Sequence, residues 1–218
     1  MKKRCLQTAA LLLTLLFILP YITYAQELSP IQLLKPQTEG GRPLMQALKN
    51  RKTDRAFSPE KLPLQMLSNL LWAAFGINRP DSGKRTAPSA MNWQEVGLYV
   101  VLPEGAYLYD AKNHLLQPVN KGDFRGLTGL QSFVKEAPVN FVYVADFSKM
   151  SRATNENKEI FSAAAIGAIF QNVYLFCASE GLATGVRAGI DKASLAKALQ
   201  LRPDQKIVLA QSVGYPKK

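Results

Sequence analysis

The chain has 218 residues, 47% of them hydrophobic, with a formal net charge of +11 and a single histidine. That charge favours anionic partners such as phosphates, acidic polymers or a membrane surface. One histidine nearly rules out zinc sites built on several of them, and the absence of a basic stripe interleaved with aromatics argues against a nucleic-acid binder.

Residues 1–25 read as a signal peptide. "MKKR" is a basic start, the apolar stretch that follows is broken by Pro20, and Thr23 and Ala25 supply the small residues before a cleavage point. A transmembrane anchor is the rival reading by length. In either case the basic end stays inside and the body goes outside, an exported and periplasmic location. No paired arginines mark export in folded form, so any cofactor is expected to bind afterwards. Removing Lys2, Lys3 and Arg4 lowers the charge from +11 to +8. Cys5 leaves with the same segment, so Cys177 stands alone and reads as a plain buried thiol. The remaining length fits one domain with a sizeable core.

Residues 26–42 read as an N-terminal arm and 43–218 as the folded domain. "RPLMQALKN" predicts a short helix ending near Asn50, and "RKTDRAFSPE" a loop. In "LPLQMLSNLLWAAFGI", Leu64, Leu67, Leu70, Leu71 and Ala74 recur at helical spacing, and Gly76 is placed to end the helix. "VGLYVVL" predicts a strand. "GAYLYD" and "HLLQPV" flank "AKN" as a hairpin, with His114 as a surface histidine in its turn. "GLQSFVKEA" suggests a short helix and "PVNFVYVAD" a buried strand.

A long helix follows, apolar on almost every face over residues 160–178 and stopping at Gly181. That pattern predicts burial all round. Ser162, Gln171 and Asn172 would be poorly served by lipid, so no stable membrane span is expected once the signal is removed. Ala163, Ala164, Ala165, Gly167 and Ala168 allow another backbone to approach, which suits a core helix partly covered by a second subunit. "ATGVRAGI" is a short strand or loop, Asp191 an N-cap for "KASLAKALQ", and "KIVLAQSVGY" the last strand. Strands and helices mix without strict alternation, so the fold class is α+β.

Four segments are candidates for chemistry. Arg51, Lys52, Thr53 and Arg55 put two planar guanidinium forks and a hydroxyl within five positions, enough to clamp a phosphate. In isolation a solvated basic loop is the commoner reading. Lys217 and Lys218 form a second cationic group that only the fold can bring to the first. In "TGVRAG", Gly185 and Gly189 permit close backbone approach, although an ordinary helix-to-strand connection would look the same. In "KRTAPSAMNWQE", small residues and amides precede a buried strand. A tight turn needs fewer of them, which suggests a flat ligand with a hydrogen-bonding edge.

Taken in order, "RKTDRAF", "LLWAAFGI", "RTAPSAMNWQE", "SEGLATGVRAGID" and "VGYPKK" resemble the flavin-dependent nitroreductase superfamily, and "GAYLYDAKNHLLQPV" is similar to its SagB-type branch of thiazoline and oxazoline dehydrogenases. The resemblance implies a homodimeric α+β fold with a central, mainly antiparallel sheet flanked by helices. FMN would bind noncovalently at the subunit interface, beside the long core helix. It implies that Arg51, Lys52, Thr53 and Arg55 hold the FMN phosphate and ribityl chain with help from Lys217 and Lys218. Pro88, Ser89, Ala90 and Asn92 would lie against the flavin from the other subunit. Val186, Arg187, Ala188 and Gly189 would offer backbone amides near the hydride-accepting nitrogen. Many relatives carry glutamate where this chain has Ala188. The implied activity is electron transfer from a small-molecule donor, with NAD(P)H one candidate, to a small-molecule acceptor such as a nitroaromatic or quinone. Two alternatives use the same cationic groups: a flavin-binding or flavin-remodelling protein without substrate turnover, and a non-flavin module for an anionic ligand.

Overall fold

Seven strands form one antiparallel sheet with a separate apolar core on each face. The structure, a computed structural model, describes residues 27–218; the signal peptide and its cleavage point lie outside the described residues. The strands are β1 (Ile31–Gln32), β4 (Val96–Leu102), β5 (Gly105–Asp110), β6 (Leu115–Lys121), β7 (Val139–Asp146), β8 (Ala183–Arg187) and β9 (Gln205–Gly214), in the order β1-β6-β5-β4-β7-β9-β8. Every neighbouring pair is antiparallel. A two-stranded ribbon of β2 (Ile77–Arg79) and β3 (Lys84–Arg85) stands apart.

Side chains alternate along a strand, so each strand feeds both faces. Leu98, Val100 and Leu102 of β4 join Phe141 and Tyr143 of β7 on one face. Helix α2 (Leu64–Phe75) covers this core with Leu67, Leu70, Leu71 and Phe75, and helix α3 (Asn155–Glu180) with Ala165, Ile166, Ile169 and Val173. Tyr99, Val101, Val142 and Val144 face the other way, under Leu195 and Leu199 at helix α4 (Lys192–Ala198). Helix α1 (Leu44–Asn50) precedes the basic loop.

The predicted helix ends hold. The Gly76 N–H donates to the Trp72 carbonyl at 2.8 Å, and a Cβ on Gly76 would sit 2.6 Å from the Trp72 ring. Gly181 closes α3 with φ 73°, a conformation that favours glycine. Thr154 and Asp191 accept backbone N–H groups at the starts of α3 and α4.

Three expectations change. Helix α3 is not buried all round within one chain. Its buried residues are Ser162, Ala165, Ile166, Ile169, Val173, Tyr174 and Cys177, a single stripe, while Ile160 is 55% exposed. The apolar sequence reports burial without saying whether the same chain supplies the cover. The helix is long and apolar enough to cross a membrane, but its buried stripe packs on the sheet. His114 does occupy the hairpin turn, yet it is half-buried, with Nδ1 3.0 Å from the Tyr109 hydroxyl and φ 48°. Burial holds its pKa below the usual histidine value. "GLQSFVKEA" forms only a 3-10 turn, Ser132–Lys135.

Candidate functional site

The basic loop leaves α1 at Arg51 and is pinned from both sides. The Asp54 N–H donates to Thr184 O of β8 at 2.9 Å. Phe57 is fully buried and bridges to Pro216, while Ser58 N–H donates to Tyr215 O and Lys217 N–H to Ala56 O. Backbone pairing therefore ties residues 56–58, at the end of the basic loop, to residues 215–217.

Arg51, Lys52, Thr53 and Arg55 are exposed. Arg51 stacks its guanidinium 5.4 Å from the centre of the Tyr174 ring. Lys52 meets Asp54 at 3.3 Å, and Lys217 meets Glu136 at 3.7 Å. Exposed pairs of this kind are weak, so both ammonium groups can turn to a ligand. Among the described residues neither Arg51 nor Arg55 has an ion-pair partner. Two cavities flank the loop. One, of about 410 Å³, includes Lys52, Asp54 and Tyr174; the other, of about 520 Å³, includes Lys217 and Lys218; Gly181 and Pro216 border both.

The β8 segment lies against this loop. Gly185 is buried, and a Cβ there would come within 3.3 Å of Arg55 Cγ and 3.4 Å of Thr53 Cγ2. Close approach of the two backbones thus favours glycine at this position. Tyr174 of α3 ties the pieces together: its hydroxyl lies 2.9 Å from Thr53 Oγ1 and accepts the Val186 N–H at 3.1 Å. Tyr174 was not singled out from the sequence, where it is one more aromatic in an apolar run.

The Arg187 side chain is held inside the fold. It is 6% exposed and donates to Thr128 O, Thr128 Oγ1, Asn140 Oδ1 and Ser212 Oγ at 2.7–2.9 Å. Burial pushes its pKa down to about 10, so it stays ionised at neutral pH. Its side chain is structural, leaving only its backbone for a ligand. Ala188 is exposed, and the Gly189 carbonyl accepts the Leu130 N–H at 3.0 Å.

The third group stands apart. Pro88 and Asn92 are exposed, and Ser89 and Ala90 half-buried. Ser89 Oγ donates to Glu95 Oε2 at 2.7 Å and accepts the Gln94 N–H at 2.8 Å. Asn92 Oδ1 accepts from Gln94 Nε2 at 3.2 Å. No hydrogen bond or ion pair among the described residues joins residues 88–92 to the basic loop or to 186–189. Within one chain, two of the three groups converge. A larger cavity of about 740 Å³, bordered by Lys192, Lys206 and Val208, contains none of the predicted residues.

The donor set fits a phosphate-bearing cofactor: two guanidinium groups without ion-pair partners, two weakly held ammonium groups and adjoining cavities. The Nitroreductase family model matches residues 48–215. The chain belongs to the nitroreductase family. It is 42% identical to a candidate nitroreductase of Ralstonia eutropha JMP134, with a TM-score of 0.83 over 87% of this chain and 90% of that one. Two more distant structures share the fold. The Escherichia coli microcin synthetase McbBCD complex with truncated pro-MccB17 aligns at 20% identity and TM-score 0.67, over 89% of this chain and 80% of that one. The NADPH:FMN oxidoreductase of Vibrio harveyi, complexed with NAD+, aligns at 16% identity and TM-score 0.60, over 80% and 69%. This nitroreductase-family chain keeps the α+β architecture of its relatives, including the long core helix.

Proposed function

We propose that this chain is an exported, homodimeric FMN-dependent oxidoreductase. The observation that carries the reading is the backbone pairing of residues 56–58 with 215–217, which ties the basic loop to the terminal lysines beside two adjoining cavities, one lined by Lys52 and the other by Lys217 and Lys218. Arg51 and Arg55 would hold the cofactor's phosphate, with the lysines assisting. Thr53 would meet the ribityl chain, and residues 186–189 would face the ring. The flavin supplies the redox chemistry, and the protein supplies position, charge and exclusion of water. The family resemblance and the FMN named for the Vibrio harveyi enzyme support the cofactor.

NAD(P)H is one candidate donor, and a nitroaromatic or quinone a candidate acceptor. Azoline oxidation of the SagB type has the hairpin resemblance in its favour; the likeness to the microcin synthetase complex concerns the fold alone. The open apolar face of α3 supports the dimer. Ala188 favours a second reading, a flavin-binding or flavin-remodelling protein without substrate turnover, since the carboxylate many relatives carry there is missing.

An absorbance spectrum of the mature protein with FMN tests the cofactor. A bound flavin band is expected. A colourless protein that binds simple anions would instead identify a non-flavin module. Anaerobic mixing with NADH and NADPH then separates turnover from storage: bleaching supports the oxidoreductase, and no bleaching with any donor supports the second reading.

A further inference from the structure

Two separate costs converge on the loop before β4. The first is conformational. Met91, Asn92 and Gln94 have φ of 52°, 55° and 49°, an unfavourable region for any residue with a Cβ. The second is electrostatic. Glu95 is fully buried, and its Oε1 has no hydrogen-bond partner among the described residues; burying such a group unpaired is unfavourable.

Ser89 Oγ links the two. It donates to Glu95 Oε2 at 2.7 Å and accepts the N–H of Gln94, the last left-handed residue, at 2.8 Å. Besides the Nε2 contact to Asn92 Oδ1, Gln94 is held at three more points. Its Oε1 accepts from Arg85 Nε at 2.8 Å, its Nε2 donates to Gly83 O at 3.0 Å, and its carbonyl accepts from Lys149 Nζ at 3.1 Å. Strained backbone persists where its surroundings over-determine it, and such strain clusters at ligand clamps. The outer side of this turn is open, with Met91 69% exposed.

We propose that Glu95 is a positioning residue. Through Ser89 it holds the 91–94 turn, with Met91, Asn92 and Gln94 in the left-handed region, as a preformed platform for the cofactor's planar ring. The proposal rests on the flavin reading, which assigns residues 88–92 to that ring. A preformed platform removes the ordering cost that a relaxed loop would add to binding.

FMN titration of the mature protein, with the melting temperature of each apo form, tests it in Glu95→Ala, Glu95→Gln and Glu95→Ala combined with Met91→Gly. Glu95→Ala is expected to fold and to bind FMN about tenfold more weakly. Glu95→Gln keeps an oxygen acceptor for Ser89 and stays within about threefold of wild type. Met91→Gly restores most of the affinity lost in Glu95→Ala, because glycine adopts positive φ without the anchor. A contribution of Glu95 to global stability alone would not be rescued at an exposed position. If Glu95→Ala does not fold, Ser89→Ala with and without Met91→Gly makes the same comparison. Wild-type affinity in the folded anchor-less variant, or a double variant no tighter than its parent, overturns the proposal. Failure of wild type to bind FMN overturns the flavin reading itself, and the proposal with it.

Discussion

Arg51 is held by an aromatic face and not by a carboxylate, so its charge is already oriented and still available. Charge-assisted hydrogen bonds contribute about 1.5–3 kcal/mol. Arg51→Ala is therefore expected to weaken FMN binding about tenfold to a hundredfold, as read by titration, with the melting temperature of the apo protein almost unchanged. Tyr174 makes the opposite prediction. Tyr174→Phe leaves the Val186 N–H without its partner, at a cost of about 1–3 kcal/mol. For a domain of this size each kcal/mol lowers the melting temperature by about 2–4 °C, so calorimetry is expected to show a clear drop.

At the scale of elements, the β5–β6 hairpin carries the protein's one histidine and a pH dependence. Burial lowers the His114 pKa in the fold, so below about pH 6.5 the unfolded chain takes up a proton that the fold resists. Stability from this group is complete above that pH and declines as pH falls toward the folded value. Denaturant midpoints are expected to fall as pH drops below about 6.5, and His114→Gln to flatten that slope. The hairpin, α2 and the C-terminal end of α3 were legible because their signals are local: leucines at helical spacing, a polar turn, and Gly181. β1 and the β2–β3 ribbon were not, since strands of two or three residues have no periodicity to read. Tyr174 and Glu95 were hidden for another reason. Their roles lie in one hydroxyl and one carboxyl whose partners are set by tertiary packing. The basic loop was visible as a charge cluster, but its pairing with residues 215–217 spans almost the whole domain.

For the whole molecule, the proposed homodimer would use the open face of α3. Ile160 and Phe161 lie exposed on a helix whose other side is packed, and an exposed apolar face of this kind marks an interaction surface. Phe161→Asp is expected to raise the dimer dissociation constant about tenfold or more, ~1.4 kcal/mol, as measured by sedimentation, with the circular dichroism of the fold retained. On the proposed flavin site between two subunits, the same variant would part residues 88–92 from the other subunit's cationic groups, and FMN affinity is expected to fall with it.

The guanidinium of Arg187 also governs how the sheet opens. β8 is the last strand of its sheet, and such margins usually fray first. Here, peeling it away would strip a positive charge of its oxygen partners on Thr128, Asn140 and Ser212, residues drawn from three distant stretches of chain. The margin is riveted to the interior, so its amides should exchange with deuterium as slowly as those of central β7, opening only when the entire domain does.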